Sequence, residues 1–297
     1  MAAKPIRVNI TPVMADPRMP PTTDLPADIT SAVRRALNED VGTGDLTAAL
    51  LPPEATARAG VLCREAAVLC GVAWFDEVYR QLDDRVTVSW LHADGDEIRA
   101  DTVVCTLTGP VRSLLTGERT ALNFLQLLSG TATTTRRYAR RLEGTATRLL
   151  DTRKTIPGLR SAQKYAVACG GGQNHRMGLY DAILIKDNHL RAAGGVGPAV
   201  RLAKTRHRQV EVEVESLAEL EEAIGAGADC VLLDNFSQEL LRRAVAVNAG
   251  RVKLEVSGGV DLEQLRMIAA TGVDYISVGA ITKHVRAVDF SMEFEGK

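Results

Sequence analysis

The sequence predicts an α/β protein whose second half is a parallel (β/α) barrel and whose first half is an α+β domain. Three observations carry this. From about residue 147 onward, short aliphatic or β-branched runs alternate with stretches whose apolar residues recur at three and four positions. Each run ends in, or is followed at once by, a polar or reactive group. Before about residue 129 the pattern is irregular and carries a hairpin signal instead.

The N-terminus holds Pro5, Pro12, Pro17, Pro20, Pro21 and Pro26, six of the eleven prolines, and lacks the apolar core of a signal peptide. Residues 1–25 are therefore expected to form a flexible arm. ARAGVLCRE (57–65) fits a strand. VTVSWL (86–91) and TVVCTLTG (102–109), separated by Asp94-Gly95-Asp96, fit an antiparallel pair. Residues 116–143 form a long helical pattern expected to break near Gly130. Six candidate strands follow: 147–151, 183–186, 210–214, 230–234, 252–256 and 274–278. Between the later ones lie helical stretches at 216–227, 237–250 and 261–272, with N-capping residues and glycine ends. The expected domains are 26–129 (α+β) and 130–285 (barrel), with 286–297 free to pack back on the first.

Composition narrows the function. With 36 Lys+Arg against 37 Asp+Glu the net charge is −1, so bulk attraction to nucleic acid or an anionic membrane is excluded. The longest apolar run, Ala66–Phe75, is ten residues long; a bilayer needs about 20. Cys63, Cys70, Cys105, Cys169 and Cys230 are odd in number, widely spaced and free of any CxxC pair, which predicts reduced cysteines and a cytoplasmic location. Nucleophile-elbow, GxGxxG and Walker sequences are all missing.

The strand ends supply the chemistry. Asp151, Thr152, Arg153 and Lys154 close the first run; Lys186, Asp187 and Asn188 follow the second; Asp234 and Asn235 the fourth; Ser257, Gly258 and Gly259 the fifth; Gly279 and Ala280 the last. Polar groups gathered at successive carboxyl ends describe the catalytic mouth of a barrel. The two late glycine turns let backbone N–H groups approach a phosphate, with the following helix N-terminus adding its dipole. Carboxylates from neighbouring strands suit Mg2+. Asp234 is one, and Glu211, Glu213 and Glu215 share a strand face, so periodicity alone leaves the other open. Arg153, Lys154, Arg176 and Lys186, with His175, form a cationic set suited to a small substrate with several negative groups. Arg136, Arg137, Arg140 and Arg141 are read instead as a solvated helix face or one meeting an acidic segment. His189 and His284 rank behind as candidates, since either could equally be a hydrogen-bonded structural histidine. Lys186 could also serve a Schiff-base aldolase.

EDVGTGDLT (39–47), GERTALNFLQLLSGTAT (117–133), DTRKTIPGLR (151–160), GGGQNHRMGLYDAILIKDNH (170–189), VEVEVESL (210–217), LLDNF (232–236), LEVSGGV (254–260) and VGAITKH (278–284) resemble quinolinate phosphoribosyltransferase, the decarboxylating enzyme of NAD synthesis. The resemblance implies an N-terminal sandwich domain, an incomplete seven-stranded α/β barrel, and a homodimer with shared active sites that can build up to a hexamer. It gives Arg153, His175, Arg176 and Lys186, beside Thr152, to the two carboxylates of quinolinate, and Arg119 to the partner's site. It gives Lys154 to the pyrophosphate of phosphoribosyl pyrophosphate (PRPP), and Glu213 and Asp234 to its ribose and Mg2+. Ser257, Gly258, Gly259, Gly279 and Ala280 go to the 5′-phosphate. The register through LAEL selects Glu213 among the three glutamates. Many relatives read THS where this chain has Thr282-Lys283-His284, so no role is carried over to His284.

Overall fold

In the computed structural model, residues 24–206 and 209–295 are described. The expected N-terminal arm lies outside them except for its last two residues. The described chain runs α1 (Ile29–Asp40), β1 (Thr56–Cys63), β2 (Ala67–Val68), α2 (Val72–Leu82), β3 (Thr87–Trp90), β4 (Glu97–Ile98), β5 (Thr102–Pro110) and α3 (Val111–Arg141). It continues with β6 (Arg148–Leu150), α4 (Arg160–Cys169), β7 (Ile183–Ile185), α5 (Asp187–Ala193), α6 (Val196–Lys204), β8 (Val210–Val214), α7 (Leu217–Ala226) and β9 (Cys230–Asp234). Then come α8 (Gln238–Asn248), β10 (Lys253–Ser257), α9 (Leu265–Ala269), β11 (Tyr275–Ser277), α10 (Ala280–Lys283) and β12 (Phe290–Phe294).

The first layer is an antiparallel sheet in the order β12-β1-β5-β3. Alternation along β1 buries Ala59, Val61 and Cys63 on one face. The helices α2 and α3 cover that face with Trp74, Phe75, Tyr79, Leu122 and Leu125, all nearly free of solvent. The last strand, β12, pairs with β1 from Ala59–Phe294 to Cys63–Phe290, so the end of the chain returns to this layer.

The second layer is the expected parallel sheet, six strands in the order β6-β11-β10-β9-β8-β7. Its valines and leucines pack outward against the helices: Val210, Val212 and Val214 of β8 belong to that core, while Glu211 and Glu213 share the opposite face. The seventh position is a single parallel bridge, Leu150–Gln173, and the wall is open between Gln173 and β7. Residues 174–182 turn instead of extending, because the Asp181 carboxylate accepts the backbone N–H groups of Met177 (2.6 Å) and Gly178 (3.0 Å). The result is an incomplete barrel.

Three local expectations need correction. Helix α3 runs unbroken through Gly130. A Cβ at that position would stand 2.2 Å from the Arg286 carbonyl oxygen, so the glycine permits a close chain crossing and does not end the helix. Of the four arginines Arg136 departs from the expected solvated or acid-facing surface, whereas Arg140 and Arg141 meet acidic residues as expected. Arg136 donates to the carbonyls of Gly95, Cys169 and Gly170, Arg140 holds Glu97 through both oxygens at 2.7 Å, and Arg141 reaches Glu263. Helix α9 starts at Leu265 instead of 261, because Asp261 Oδ1 accepts from the N–H groups of Glu263 and Gln264 and holds a turn there. The two preceding helices keep their expected caps, Ser216 on Glu219 N and Ser237 on Leu240 N.

Candidate active site

The carboxyl ends of the parallel strands converge on one cavity of about 320 Å³. Thr152, Arg153, Lys154, His175, Arg176, Lys186 and Ser257 line it, so seven of the residues singled out from the sequence come together. Between them stand Leu184, Leu232, Glu255 and Ser277.

Arg153 and Arg176 carry the strongest signal. Arg176 is 8% exposed and donates Nη1 to the Ala182 carbonyl at 3.2 Å. Burial lowers its pKa, and the neighbouring charge of Arg153 lowers it further. The Nε of Arg153 is buried and has no hydrogen-bond partner among the described residues. Two guanidiniums lining one cavity, one of them with a buried donor unspent, form a site suited to an anion.

Lys186 Nζ donates to Glu213 Oε2 at 2.7 Å. That ion pair commits the amine nitrogen to a carboxylate instead of leaving it free to face a carbonyl substrate, which weighs against the Schiff-base reading. Asp234 ends β9, next to the β8 strand of Glu213. Burial raises its pKa, Glu213 raises it again, and the charges of Lys186 and Lys154 oppose both. Glu213, Lys186 and Lys154 therefore all act on Asp234. Two repelling carboxylates with hard oxygen donors fit Mg2+.

The late glycine turns flank this group. Ser257 is in register with Asp234, and Gly258 and Gly259 have φ of 101° and 61°. A Cβ at Gly279 would lie 2.7 Å from Lys154 Cδ, so the glycine makes room for that lysine over the β11 end. Ala280 opens α10, which is only four residues long, and α9 begins six residues beyond Gly259. Neither turn therefore leads straight into a long helix that could add the expected dipole.

His175 lines the cavity differently. Its Nδ1 accepts the Arg176 backbone N–H at 2.8 Å, which needs a lone pair there. Its Nε2 lies 2.9 Å from Glu211 Oε2 and 3.5 Å from Glu255 Oε2. Burial disfavours the charged ring, but the Glu211 hydrogen bond and the neighbouring Glu255 and Glu211 acidic groups outweigh it and raise its pKa, against a smaller opposing effect of the Lys164 charge. Both ring nitrogens are engaged inside the protein, so the ring offers no spare N–H to the cavity. Glu255, 2% exposed, is pushed up to about 8 by burial and by Glu211.

Arg119 is exposed on α3 and does not line this cavity. His189 is structural: its Nδ1 accepts the Lys186 N–H at 3.0 Å and holds the β7–α5 turn. Sequence reasoning passed over Lys164, Glu255 and Thr282. Lys164 is 1% exposed and pairs with Asp151, and Thr282 Oγ1 donates to the Lys154 carbonyl at 2.9 Å. No local signal marked Lys164, which sits beside Gln163 in a helical stretch that reads like any half-exposed one.

Comparison with known proteins follows the same outline. Residues 45–129 match the quinolinate phosphoribosyl transferase N-terminal domain, and residues 131–293 its C-terminal domain. A probable nicotinate-nucleotide pyrophosphorylase [carboxylating] of Bacillus subtilis is 42% identical over 258 residues, 86% of this chain and 89% of that one. A nicotinate-nucleotide pyrophosphorylase [carboxylating] of Mycobacterium leprae is 41% identical over 272 residues, 88% and 95% of the two chains. The solved nicotinate-nucleotide pyrophosphorylase of Francisella tularensis superposes with a TM-score of 0.89 at 51% identity, covering 92% of this chain and 98% of that one.

Proposed function

The chain belongs to the quinolinate phosphoribosyltransferase family, and from that membership we propose how its strand-end mouth works. The protein transfers the phosphoribosyl group of PRPP to quinolinate with decarboxylation, giving nicotinate mononucleotide, pyrophosphate and CO2 in NAD biosynthesis. One observation carries the substrate: Arg176 and the unspent Nε of Arg153 crowd one cavity wall and call for a doubly anionic ligand. Nicotinate, with one carboxylate, would satisfy only part of that demand.

Arg153 and Arg176 orient the ring so that its nitrogen faces the anomeric carbon, a positioning contribution. Thr152, His175 and Lys186 complete that wall. The N–C1 bond forms as the C1–O bond to pyrophosphate breaks, and Lys154 neutralises the leaving charge. The ring is then a pyridinium. The C2 carboxylate leaves as CO2, its bonding pair stays on C2 beside N+, and a proton from water completes the product. No protein nucleophile is required.

Glu213 and Asp234 would hold Mg2+, which supplies charge neutralisation at the pyrophosphate. Ser257, Gly258, Gly259, Gly279 and Ala280 surround the position for the 5′-phosphate. The exposure of Arg119 on α3, away from its own cavity, supports a homodimer in which it serves the second copy's site, with a hexamer as the larger assembly. Among the described residues no helix is long and apolar enough to cross a membrane, and all five cysteines are free and buried, which supports a cytoplasmic location. Initial rates with Mg2+ and PRPP test the reading. Quinolinate should be converted to nicotinate mononucleotide, with nicotinate at least a hundredfold poorer; equal use of nicotinate would overturn it.

A further inference from the structure

Behind the cavity, Asp151 and Lys164 form an ion pair with side-chain exposures of 0% and 1%. Taking two charges this far from water is costly, and such a pair is weak as a stabilising device. Burial pushes the Asp151 carboxyl up and the Lys164 ammonium down, each opposed chiefly by the other. What the pair holds is specific. Asp151 accepts from Lys164 Nζ, from Asn174 Nδ2 at 2.7 Å and from the His175 backbone N–H at 2.8 Å. Lys164 Nζ also donates to the His175 carbonyl at 2.8 Å. Both backbone polar groups of one residue are thus gripped, one by each member of the pair.

That residue lies where the barrel wall has no ladder, just past the single Leu150–Gln173 bridge. Arg176 follows it directly, and Arg153 stands two residues beyond Asp151. We propose that Asp151 and Lys164 are positioning residues that stand in for the missing strand pairing and fix the spacing of Arg153 and Arg176. Neither lines the cavity. The inference rests on the quinolinate reading above and adds to it the element that sets the carboxylate spacing.

The test is the double variant Asp151→Asn/Lys164→Met, which removes both charges together and leaves no unpaired buried ion. Thermal unfolding, the folded fraction, kcat, and KM for quinolinate are measured on the full chain. A merely structural pair would scale kcat with the folded fraction and leave KM alone. The expected result is a folded protein whose KM for quinolinate rises at least tenfold and whose kcat per folded molecule falls at least tenfold. Values within threefold of the parent would overturn the proposal. Should the double variant not fold, Lys164→Arg keeps the charge and is judged by the same two outcomes, because a guanidinium cannot replace one nitrogen bonded to both Asp151 and the His175 carbonyl. A parent that does not turn over quinolinate overturns the functional reading, and this inference with it; an active parent with unchanged variants overturns the positioning role alone.

Discussion

Replacing Arg153 by methionine removes the charge and the unspent Nε donor while keeping most of the stem. A hydrogen bond to a charged group contributes about 1.5–3 kcal/mol, and a guanidinium fork on a carboxylate makes two, so about 3–6 kcal/mol of binding in the transition state is at stake. At about 1.4 kcal/mol per tenfold, kcat/KM for quinolinate should fall by roughly 10²–10⁴. The fold should not suffer. Arg153 lowers the pKa of Arg176 by repulsion, so its removal relieves a buried neighbour, and the melting temperature should hold or rise. Steady-state rates with PRPP saturating and quinolinate varied, beside a thermal melt, give both numbers. A loss below tenfold would refute the carboxylate role, as would a loss fully explained by unfolding.

Gly279→Ala places a methyl 2.7 Å from Lys154 Cδ, and because that side chain can swing away the fold should survive while KM for PRPP rises about tenfold; unchanged PRPP kinetics would show that Lys154 does not depend on that space. Gly130→Ala gains helix propensity but drives Cβ to 2.2 Å from a backbone oxygen of Arg286; overpacking of about 1–3 kcal/mol should win, read as a melting temperature lower by several degrees. Burial pushes the Glu255 carboxyl from its ordinary 4.5 up to about 8, so its contribution to stability is fully present below about pH 4.5 and is lost as pH rises through 8. Glu255→Gln should therefore stabilise the protein more at pH 8.5 than at pH 5 in paired melts, and a pH-independent difference would contradict the buried neutral acid.

The barrel was legible because its strands are hydrophobic runs of the right length with caps between them, and local periodicity reports such elements directly. The cationic mouth was legible for a related reason: residues at strand ends inherit their neighbourhood from the topology, so Arg153, Arg176 and Lys186 could be grouped once the runs were placed. Tertiary packing was less readable. Gly130 looked like a helix break because its cause, the passage of Arg286, lies 156 residues away in the chain. Arg136 was grouped with its surface neighbours because the backbone carbonyls that bind it come from other segments. Lys164 was invisible as a site residue, since only its burial against Asp151 separates it from an ordinary helix-surface lysine. His175 was correctly placed at the mouth, but the direction of its ring depends on Glu211 and Glu255, which no local pattern specifies.

Quinolinate labelled with carbon-14 in a single carboxyl group gives the most direct test of the whole account. With Mg2+ and PRPP, label at C2 should appear as CO2, one per pyrophosphate released, while label at C3 stays in nicotinate mononucleotide. Pyrophosphate without labelled CO2, or release of the C3 label, would contradict a mouth that holds both carboxylates and turns the ring nitrogen to the sugar.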